Sequence, residues 1–418
     1  MAAEEDTTVL ELEIGNVAGG GGCVARTPDG RVVFVRHSLP GERVMAKVTS
    51  STRSYLRADA IEVLQPSPDR VSPPCPHAGP DRCGGCDFQH VDVAAQRRLK
   101  GFRIAEQLKR VAGIVREIDV EAVPGDVAGL GWRNRIRLAI DQDGRPGFRQ
   151  HRSHEIEYVN ECPIASPWVN GTGVFDAQWP GFDELDVMVG SDGRDAVVSL
   201  QASRKVKLAL PDLGAGVVAR GRVLRQPGSV QAVVSGFTFR ITAGVFWQVH
   251  VGAASALCLA VVSALGTSPG ESVVDLYAGA GLFSVVLADA VGPRGSLLAV
   301  ERDRRACADA EHNGSAFPQL RVLKASVTPE LVERGIGRAD LIVLDPAREG
   351  AGTAVMEAIG NHGHTVRKVA YVSCDPATFS RDIRPLLARG WTLSTLRAFD
   401  IFPMTEHVEL VATLTPPP

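Results

Sequence analysis

The pattern of apolar and polar positions predicts a β-rich N-terminal part of the chain. Residues 9–14 alternate over most of their length, and the apolar-rich runs 31–36 and 43–48 each follow a turn that contains Pro and Gly. Period-two alternation is typical of strands, and short strands at this spacing are typical of a small closed barrel. We therefore expect residues 1–65 to form a β-barrel.

A different pattern begins at about residue 245. Four apolar runs of strand length alternate with segments of helix length, namely 272–276, 297–300, 341–344 and 369–373. Such alternation predicts βαβ units and hence a parallel sheet with helices on both faces. The predicted fold class is α/β, with domains at residues 1–65, 66–240 and 241–418.

The charge of the chain restricts where nucleic acid could bind. The net charge of −3 over 418 residues excludes a polycation, so any nucleic-acid surface must be local. Residues 97–152 hold 13 Lys and Arg against 7 Asp and Glu, and they include a predicted helix at about 94–112. Arg133, Arg135 and Arg137 alternate along a predicted strand. As a set these residues indicate a phosphate-contacting surface, although each one alone also suits a solvated face.

The sequence also indicates where the protein works. No apolar run reaches the roughly 18–20 residues of a membrane-spanning helix. The first residues are acidic and lack the basic-then-apolar order of a signal peptide. We therefore expect a cytoplasmic protein that does not enter a membrane.

A glycine-rich turn follows the first strand of the α/β part. Gly279 and Gly281 come directly after the apolar run 273–276, and Glu301 ends the next strand. Glycines there let the backbone approach a ligand, and an acid at that place can accept both hydroxyls of a ribose. The third glycine of the dinucleotide fingerprint is missing, which favours a nucleoside without a pyrophosphate, such as S-adenosylmethionine. Without the other elements, Gly-x-Gly is also compatible with a plain turn.

Two further motifs lie at predicted strand ends. Asp345-Pro346-Ala347-Arg348 follows the strand 341–344, and Cys374 follows 369–373. The carboxyl ends of parallel strands line the ligand crevice of such folds, and a thiolate there can act as a nucleophile. The alternatives are an Asp-Pro turn and a small buried cysteine.

Four of the eight cysteines form a separate group on Pro- and Gly-rich stretches: Cys75, Cys83, Cys86 and Cys162. Such a set suits a tetrahedral site, and the spacing leaves zinc and a [4Fe-4S] cluster both open. Disulfides are improbable in a cytoplasmic chain.

Taken together, these motifs resemble the family of uracil-C5 RNA methyltransferases that use S-adenosylmethionine. Residues 1–65 resemble a TRAM domain, an OB-like RNA-binding barrel. The cysteine motifs resemble the [4Fe-4S] site of the family, which decides for a cluster over zinc. Residues 132–134 and 147–149 resemble its RNA-contacting α+β central domain. Residues 246–250, 373–376 and 402–409 resemble its cofactor-glutamine, catalytic-cysteine and catalytic-glutamate motifs.

The resemblance implies a Rossmann-like catalytic domain and a covalent mechanism. It makes Cys374 the nucleophile at C6 of a flipped uridine in tRNA or rRNA, and Glu409 the base that removes the C5 proton. It assigns Asp345 and Arg348 either to orienting the cofactor and the uracil or to stabilising the enolate. The cofactor is then held by Gln248, Tyr277, Gly279, Gly281, Glu301 and Asp345. The absence of a long apolar heptad makes a monomer the expected state.

The sequence departs from the family pattern at four places, one of which is the slightly long spacing of seven residues between Cys75 and Cys83. Ala347 replaces a proline, Leu282 replaces a residue that is often polar, and the strand ending near Ser326 lacks an acid that often contacts adenine. Two other classes of function are an inactive RNA-binding factor on the same scaffold and an iron–sulfur electron carrier. The presence of Cys374 and Glu409 argues against the first, and the incomplete dinucleotide fingerprint argues against the second.

Overall fold

The structure is a computed structural model that describes residues 8–202, 210–363 and 365–418. It contains one N-terminal five-stranded sheet, one central seven-stranded sheet, a two-stranded hairpin and a C-terminal eight-stranded sheet among these residues. No described helix combines the length and the apolar character that crossing a bilayer requires.

The N-terminal sheet closes on itself. It has the order β1-β4-β5-β3-β2, and buried residues alternate with more exposed ones in β3 and in the first half of β4. Closure comes from the chain after β1, where the Gly15 N–H donates to the Val24 carbonyl at 2.7 Å and the Val24 N–H to the Asn16 carbonyl at 2.9 Å. The predicted barrel is therefore confirmed. Its strands are β1 Val9–Glu13, β2 Gly22–Arg26, β3 Val32–Arg36, β4 Arg43–Ser51 and β5 Tyr55–Gln65.

A long helix and the central sheet follow. Asp92 caps helix α1 (Val93–Gln107) by accepting from the backbone N–H groups of Ala94 and Ala95. The helix predicted over 94–112 changes to a π-helical turn at Leu108–Ala112 and ends at Gly113, whose φ is 72°. The remaining elements are β6 Val120–Ala122, β7 Arg135–Ile140, β8 Pro146–Arg149, β9 Ile156–Glu157, α2 Pro167–Asn170, β10 Glu184–Val189, β11 Ala196–Gln201, β12 Gly216–Ala219 and β13 Arg222–Arg225.

The hairpin of β14 (Ser229–Val234) and β15 (Phe237–Thr242) packs into the core of the C-terminal part. Asp309 fixes it there, since its carboxylate accepts from Arg240 Nε at 3.0 Å and from the Thr242 N–H at 2.7 Å. The proposed division at residue 240 falls inside β15 and so does not coincide with the end of an element.

The C-terminal sheet has the order β18-β17-β16-β19-β20-β22-β21-β6. The first five strands of this order, from β18 through β17, β16 and β19 to β20, are parallel, as the alternation of apolar runs predicted. Strand β22 is antiparallel to both of its neighbours. Val273 and Val343 pack into the core on one face, and Val274 and Ile342 into the core on the other. The strands are β16 Ser272–Leu276, β17 Ser296–Glu301, β18 Leu320–Lys324, β19 Leu341–Leu344, β20 Lys368–Ser373, β21 Thr392–Asp400 and β22 Glu409–Thr415.

Helices cover both faces of this sheet, which confirms the predicted α/β class. Their positions are α3 Ala253–Leu265, α4 Leu282–Val291, α5 Arg304–Asn313, α6 Pro329–Arg334, α7 Thr353–Asn361, α8 Pro376–Asp382 and α9 Arg384–Ala388. Asp375 caps α8 by accepting from the Thr378 N–H at 2.7 Å. This cap places Cys374 in the short link between β20 and α8.

Candidate active site

A cavity of about 700 Å³ lies at the carboxyl ends of the parallel strands. Strands β16, β17, β19 and β20 each end at it, as expected for a ligand crevice in an α/β sheet. Nearly all of the residues assigned from sequence to catalysis and cofactor binding line it: Gln248, Tyr277, Gly279, Glu301, Asp345, Arg348, Cys374 and Glu409. Gly281 is not among the lining residues. It precedes α4 with φ 85°, and a Cβ there would lie 3.3 Å from Ala310.

Backbone amides hold Glu301 in place. One carboxylate oxygen accepts from the Gly279 N–H at 3.0 Å, and the other accepts from the N–H groups of Arg302 and Asp303 at 2.7 Å each. Tyr277, which has φ 65°, turns the chain from β16 into the glycine loop. The carboxylate is thus fixed at the wall of the cavity, where it could accept the hydroxyls of a ribose.

The Cys374 thiol is surrounded by acidic groups. Burial raises its pKa to about 12, and the nearby carboxyls of Glu409 and Asp345 add to the rise, whereas the Arg348 guanidinium opposes it. The free protein therefore holds this cysteine as a neutral thiol, and a cation or a bound substrate must assist its ionisation.

Two carboxyl groups lie in the buried floor of the cavity. Glu409 begins β22 and is 3% exposed, and its Oε1 has no hydrogen-bond partner among the described residues. Burial, followed by the repulsion of Asp345, raises the pKa of Glu409 well above its usual range. Burial, followed by the repulsion of Asp275, raises the pKa of Asp345 to about 7. These groups hold protons more strongly than ordinary carboxylates, which suits a base that acts near neutral pH.

The structure adds His407 to the site. Its Nε2 lies 3.2 Å from Arg348 Nη2. Burial and the adjacent guanidinium lower the pKa of His407 to about 4, so the neutral ring can accept the arginine hydrogen bond. The sequence placed this residue in the motif at 402–409 without giving it a role, because only the fold shows that it faces Arg348.

Buried polar contacts fix the segment that leads to Glu409. Lys100 Nζ donates to Asp400 Oδ1 at 2.5 Å and to the Phe402 carbonyl at 3.0 Å, and both charged side chains are fully buried. Gln96 accepts from the Met404 N–H at 2.8 Å. Helix α1 therefore positions residues 400–404, which precede Glu409 in the chain. We call residues 400–409 the catalytic segment, after the role that the sequence predicts for Glu409.

The barrel contacts the same segment through Glu406. Its Oε2 accepts from the N–H groups of Gly20 and Gly21 at 2.7 and 2.9 Å, and from Arg103 Nη1 at 2.7 Å. The Glu406 N–H donates to Asp87 Oδ2 at 3.2 Å. One carboxylate thus joins the barrel, helix α1 and the segment that carries His407.

The four grouped cysteines line a second cavity of about 230 Å³. Burial raises the pKa of each thiol, to about 12 for Cys83, and neighbouring sulfur atoms of the group raise the pKa of Cys83, Cys86 and Cys162 further. Arg133 lies beside Cys86 and Cys162, and it also lines the 700 Å³ cavity. Arg137 lines the cysteine cavity as well, and four thiols and two guanidinium groups around a single space fit an anionic, thiolate-bound group. No three His, Cys, Asp or Glu side chains of the described residues are arranged to hold a single metal ion.

The row of alternating arginines is less exposed than the sequence suggested. Arg133 turns inward between the two cavities, with Nε donating to the Arg135 carbonyl at 2.9 Å. Arg135 Nε donates to Asp186 Oδ1 at 2.8 Å. Arg137 remains 61% exposed in its side chain. Of the three arginines, only Arg137 is therefore largely exposed to solvent, and the row does not form a continuous basic surface.

Three family models match parts of the chain. The TRAM domain matches residues 5–61, the methyltransferase small domain residues 236–362, and the tRNA (uracil-5-)-methyltransferase model residues 337–415. An uncharacterized RNA methyltransferase of Streptomyces avermitilis is 46% identical, over 97% of this chain and 98% of its own. The chain belongs to the RNA (uracil-5-)-methyltransferase family.

Other similarities agree with this membership. An uncharacterized RNA methyltransferase of Bifidobacterium longum is 34% identical over 99% of this chain and 98% of its own. The crystal structure of a Pyrococcus abyssi tRNA (uracil-54, C5)-methyltransferase, in complex with S-adenosyl-L-homocysteine, superposes with a TM-score of 0.71. It is 23% identical and covers 97% of this chain and 99% of its own, which shows a common fold for this RNA methyltransferase.

Proposed function

We propose that this RNA methyltransferase transfers a methyl group from S-adenosylmethionine to C5 of a uridine in tRNA or rRNA. The observation that carries the proposal is that Cys374, Glu409 and the cofactor candidates line one cavity. A nucleophile that follows β20 and a base that begins the antiparallel β22 meet at one edge of the sheet, which is the geometry required for covalent activation of a uracil next to a methyl donor.

The cofactor half of the cavity suits a nucleoside. Glu301 would accept the ribose hydroxyls, Gly279 leaves room for the backbone to approach, and Gln248 and Tyr277 would contact the remainder of the molecule. The bound S-adenosylmethionine would supply the methyl group as a sulfonium. The adenine end would meet Ala325, Ser326 and Val327, which line the cavity without an acid.

In the part of the cavity that would hold the uracil, the reaction would begin at the sulfur of Cys374. The Cys374 thiol would release its proton to solvent, and the thiolate would form a bond to C6 while the double bond shifts from C5–C6 to C4–C5 and O4 becomes the enolate oxygen. C5 of that enolate then takes the methyl group. Arg348, held by His407 at 3.2 Å, would lower the energy of the thiolate and the enolate.

Release of the product would require a base at C5. Glu409 as a carboxylate would remove the C5 proton, the double bond would re-form, and the bond from C6 to Cys374 sulfur would break to return the thiolate. Asp345 would orient the uracil and the cofactor. The buried position of Glu409 supports this role, because burial strengthens a carboxylate as a base once it is ionised.

We further propose that Cys75, Cys83, Cys86 and Cys162 hold a [4Fe-4S] cluster. A zinc ion would draw its sulfur ligands to about 2.3 Å, whereas a cavity of about 230 Å³ suits a larger group. When bound, such a cluster would tie the loop of Cys162 to the loop of residues 75–86. The methyl transfer itself needs no electron transfer, so the role is structural.

The RNA would contact the TRAM domain and the basic parts of the central domain. The target uridine would leave its stack to reach Cys374. We propose that the enzyme acts as a monomer in the cytoplasm, where its RNA substrates occur.

Nucleoside analysis tests this function. The purified protein is incubated with S-adenosylmethionine and total RNA, and the RNA is digested and analysed for 5-methyluridine by mass spectrometry. We expect 5-methyluridine with the wild type and none with Cys374→Ala. A protein that binds the cofactor and the RNA but forms no 5-methyluridine would instead be a binding factor on this scaffold.

A further inference from the structure

A third cavity, of about 350 Å³, is lined by four arginines and lies between the central sheet and the C-terminal part. Asp186 is the one acid among the described residues that line it. Four guanidinium groups around one carboxylate are unusual in a chain with a net charge of −3. We call this the arginine pocket; its arginines are Arg135, Arg137, Arg220 and Arg305.

The lining charges leave this pocket positive. Asp186 binds Arg135 Nε at 2.8 Å, and its second oxygen lies 3.6 Å from Arg137 Nη2. Arg135 also donates to the Val245 carbonyl at 2.8 Å, and these two contacts hold its side chain in a fixed position in the wall of the pocket. Arg137 and Arg305 are 61% and 47% exposed in their side chains, so both can reach a ligand. Asp303 pairs with Arg305, whereas the single carboxylate of Asp186 is shared by Arg135 and Arg137, which leaves one positive charge in excess at that pair.

Local backbone geometry makes room for Arg305. Gly244 has φ 84°, and a Cβ at that position would lie 3.0 Å from Arg305 Nη1. The same guanidinium donates to the Ala243 carbonyl at 3.3 Å, and its Nε lies 3.7 Å from Asp303 Oδ1 in an ion pair that is half exposed to solvent. A glycine in the turn after β15 thus lets the side chain from α5 lie against the wall of the pocket.

The arginine pocket adjoins the catalytic cavity. Ala243 and Gly244 line the pocket, whereas Phe246 and Gln248, a few residues later, line the catalytic cavity. Phe246 is 62% exposed at this boundary. A strand advances about 3.4 Å per residue, so the row from Arg133 at the catalytic cavity to Arg137 at the pocket spans about 14 Å. That distance corresponds to a few nucleotides of an extended strand.

We propose that the arginine pocket binds a backbone phosphate of the RNA strand that flanks the target uridine. Guanidinium groups bind phosphate oxygens in bidentate geometry, and several from different elements fix the direction of the strand. The inference rests on the proposed function, since it requires the uridine to occupy the catalytic cavity. The pocket then sets how the strand leaves that cavity.

Salt dependence of RNA binding tests the pocket. The full-length protein is titrated against a short fluorescein-labelled oligouridine RNA at several KCl concentrations, and the dissociation constant is read by fluorescence anisotropy. Removal of one phosphate-binding side chain should lower the slope of log K against log [salt] by about 0.7 for a single strand. We expect that decrease for Arg305→Gln and for Arg137→Gln, and a slope restored to the wild-type value for Arg305→Lys.

Arg338→Gln is the matched control. The Arg338 side chain is 78% exposed. It lies before the amino end of β19, whereas the catalytic cavity lies at the carboxyl ends of the parallel strands. Slopes unchanged in both pocket variants, or lowered equally in the control, would overturn the proposal. A second probe carries neutral methylphosphonate linkages. With that RNA, wild type and Arg305→Gln should bind equally, and a persisting difference would contradict phosphate binding.

These outcomes are separable from those of the proposed reaction. Wild-type protein that forms 5-methyluridine, with pocket variants of unchanged slope, would contradict the pocket alone. If the wild-type protein forms no 5-methyluridine but the pocket variants still have lowered salt slopes, the proposed reaction is contradicted and phosphate binding by the pocket is supported.

Discussion

The catalytic cavity and the cysteine cavity share Arg133 but are built in different ways. Strand ends of one hydrogen-bonded sheet deliver Cys374, Asp345 and Glu409, so the backbone fixes their positions before any ligand binds. The cysteines of the second cavity lie outside the regular helices and strands. Burial, followed by the approach of neighbouring sulfur atoms, raises the pKa of Cys83 to about 12, so a thiolate there is costly without a bound cationic group. The fold thus preorganises the first site, whereas we expect the second to need the proposed bound group to hold its loops together.

The largest expected effect separates the two cavities. Cys374→Ala removes the nucleophile, and methylation should fall by more than about 10⁴-fold because the uracil can no longer be activated at C6. Iron content and visible absorbance should stay at the wild-type level. Methyl transfer from labelled cofactor and iron analysis on the same preparation check both statements. Appreciable turnover by this variant would contradict the covalent route.

The converse change should disrupt the cysteine cavity first. Cys162→Ser should lose the bound iron and the visible absorbance, and its thermal midpoint should fall because the loops lose their common anchor. Cys258→Ala is the control, since Cys258 is a buried thiol of α3 outside both cavities. Full iron content in Cys162→Ser, or equal loss in the control, would count against the assigned ligands.

Arg133 should affect both cavities. Arg133→Gln removes the cation beside Cys86 and Cys162 and alters the wall of the catalytic cavity. We expect kcat/KM to fall about 10- to 100-fold, together with faster loss of iron on exposure to air. Arg145→Gln, an exposed change in the same part of the chain, should do neither. A defect confined to one cavity would show that the two are independent.

A smaller effect is expected where the barrel meets the catalytic segment. Glu406→Gln weakens a charged acceptor of three hydrogen bonds and should cost about 1.5–3 kcal/mol of unfolding free energy. Glu357→Gln on the exposed face of α7 should cost nothing measurable. Chemical denaturation of both variants provides the comparison, and equal stabilities would mean that Glu406 does not hold the barrel in place.

A further predicted effect concerns the pH dependence of stability. Because burial raises the pKa of Asp345 to about 7, the folded protein binds a proton there that the unfolded chain has released above about pH 4. Stability therefore falls as pH rises from about 4 to about 7. Asp345→Asn should make this fall less steep, measured as unfolding free energy across that range. A steeper fall in the variant would contradict the assigned direction.

The two cavities also differ in how far the sequence could predict them. Period-two runs and apolar strands indicated the barrel and the parallel sheet, because burial of alternate residues depends on the local pattern. Cys374 and Asp345 could be located because strand ends of one sheet meet at one edge. The spacing of the cysteines left zinc and a cluster open, and only the family resemblance chose between them.

Contacts between distant segments were beyond prediction. The approach of Glu406 to Gly20 joins residues 386 positions apart, and no periodicity indicates such a contact. The arginine at 133 was expected on a phosphate surface, but the fold turns it inward between two cavities. Arg135 and Arg137, its neighbours along the strand, do line the arginine pocket. The pattern therefore located the basic residues but could not show which groups each arginine contacts.

The measurement that tests the central claim most directly is a covalent trap. The protein is incubated with S-adenosylmethionine and RNA containing 5-fluorouridine, whose fluorine cannot leave as a proton, and the mixture is analysed on a denaturing gel. We predict a stable protein–RNA adduct that is absent with Cys374→Ala, and sequencing of the bound RNA would identify the target. A protein that binds the cofactor yet forms no adduct would contradict the proposal that Cys374 and Glu409 act on one uridine in one cavity.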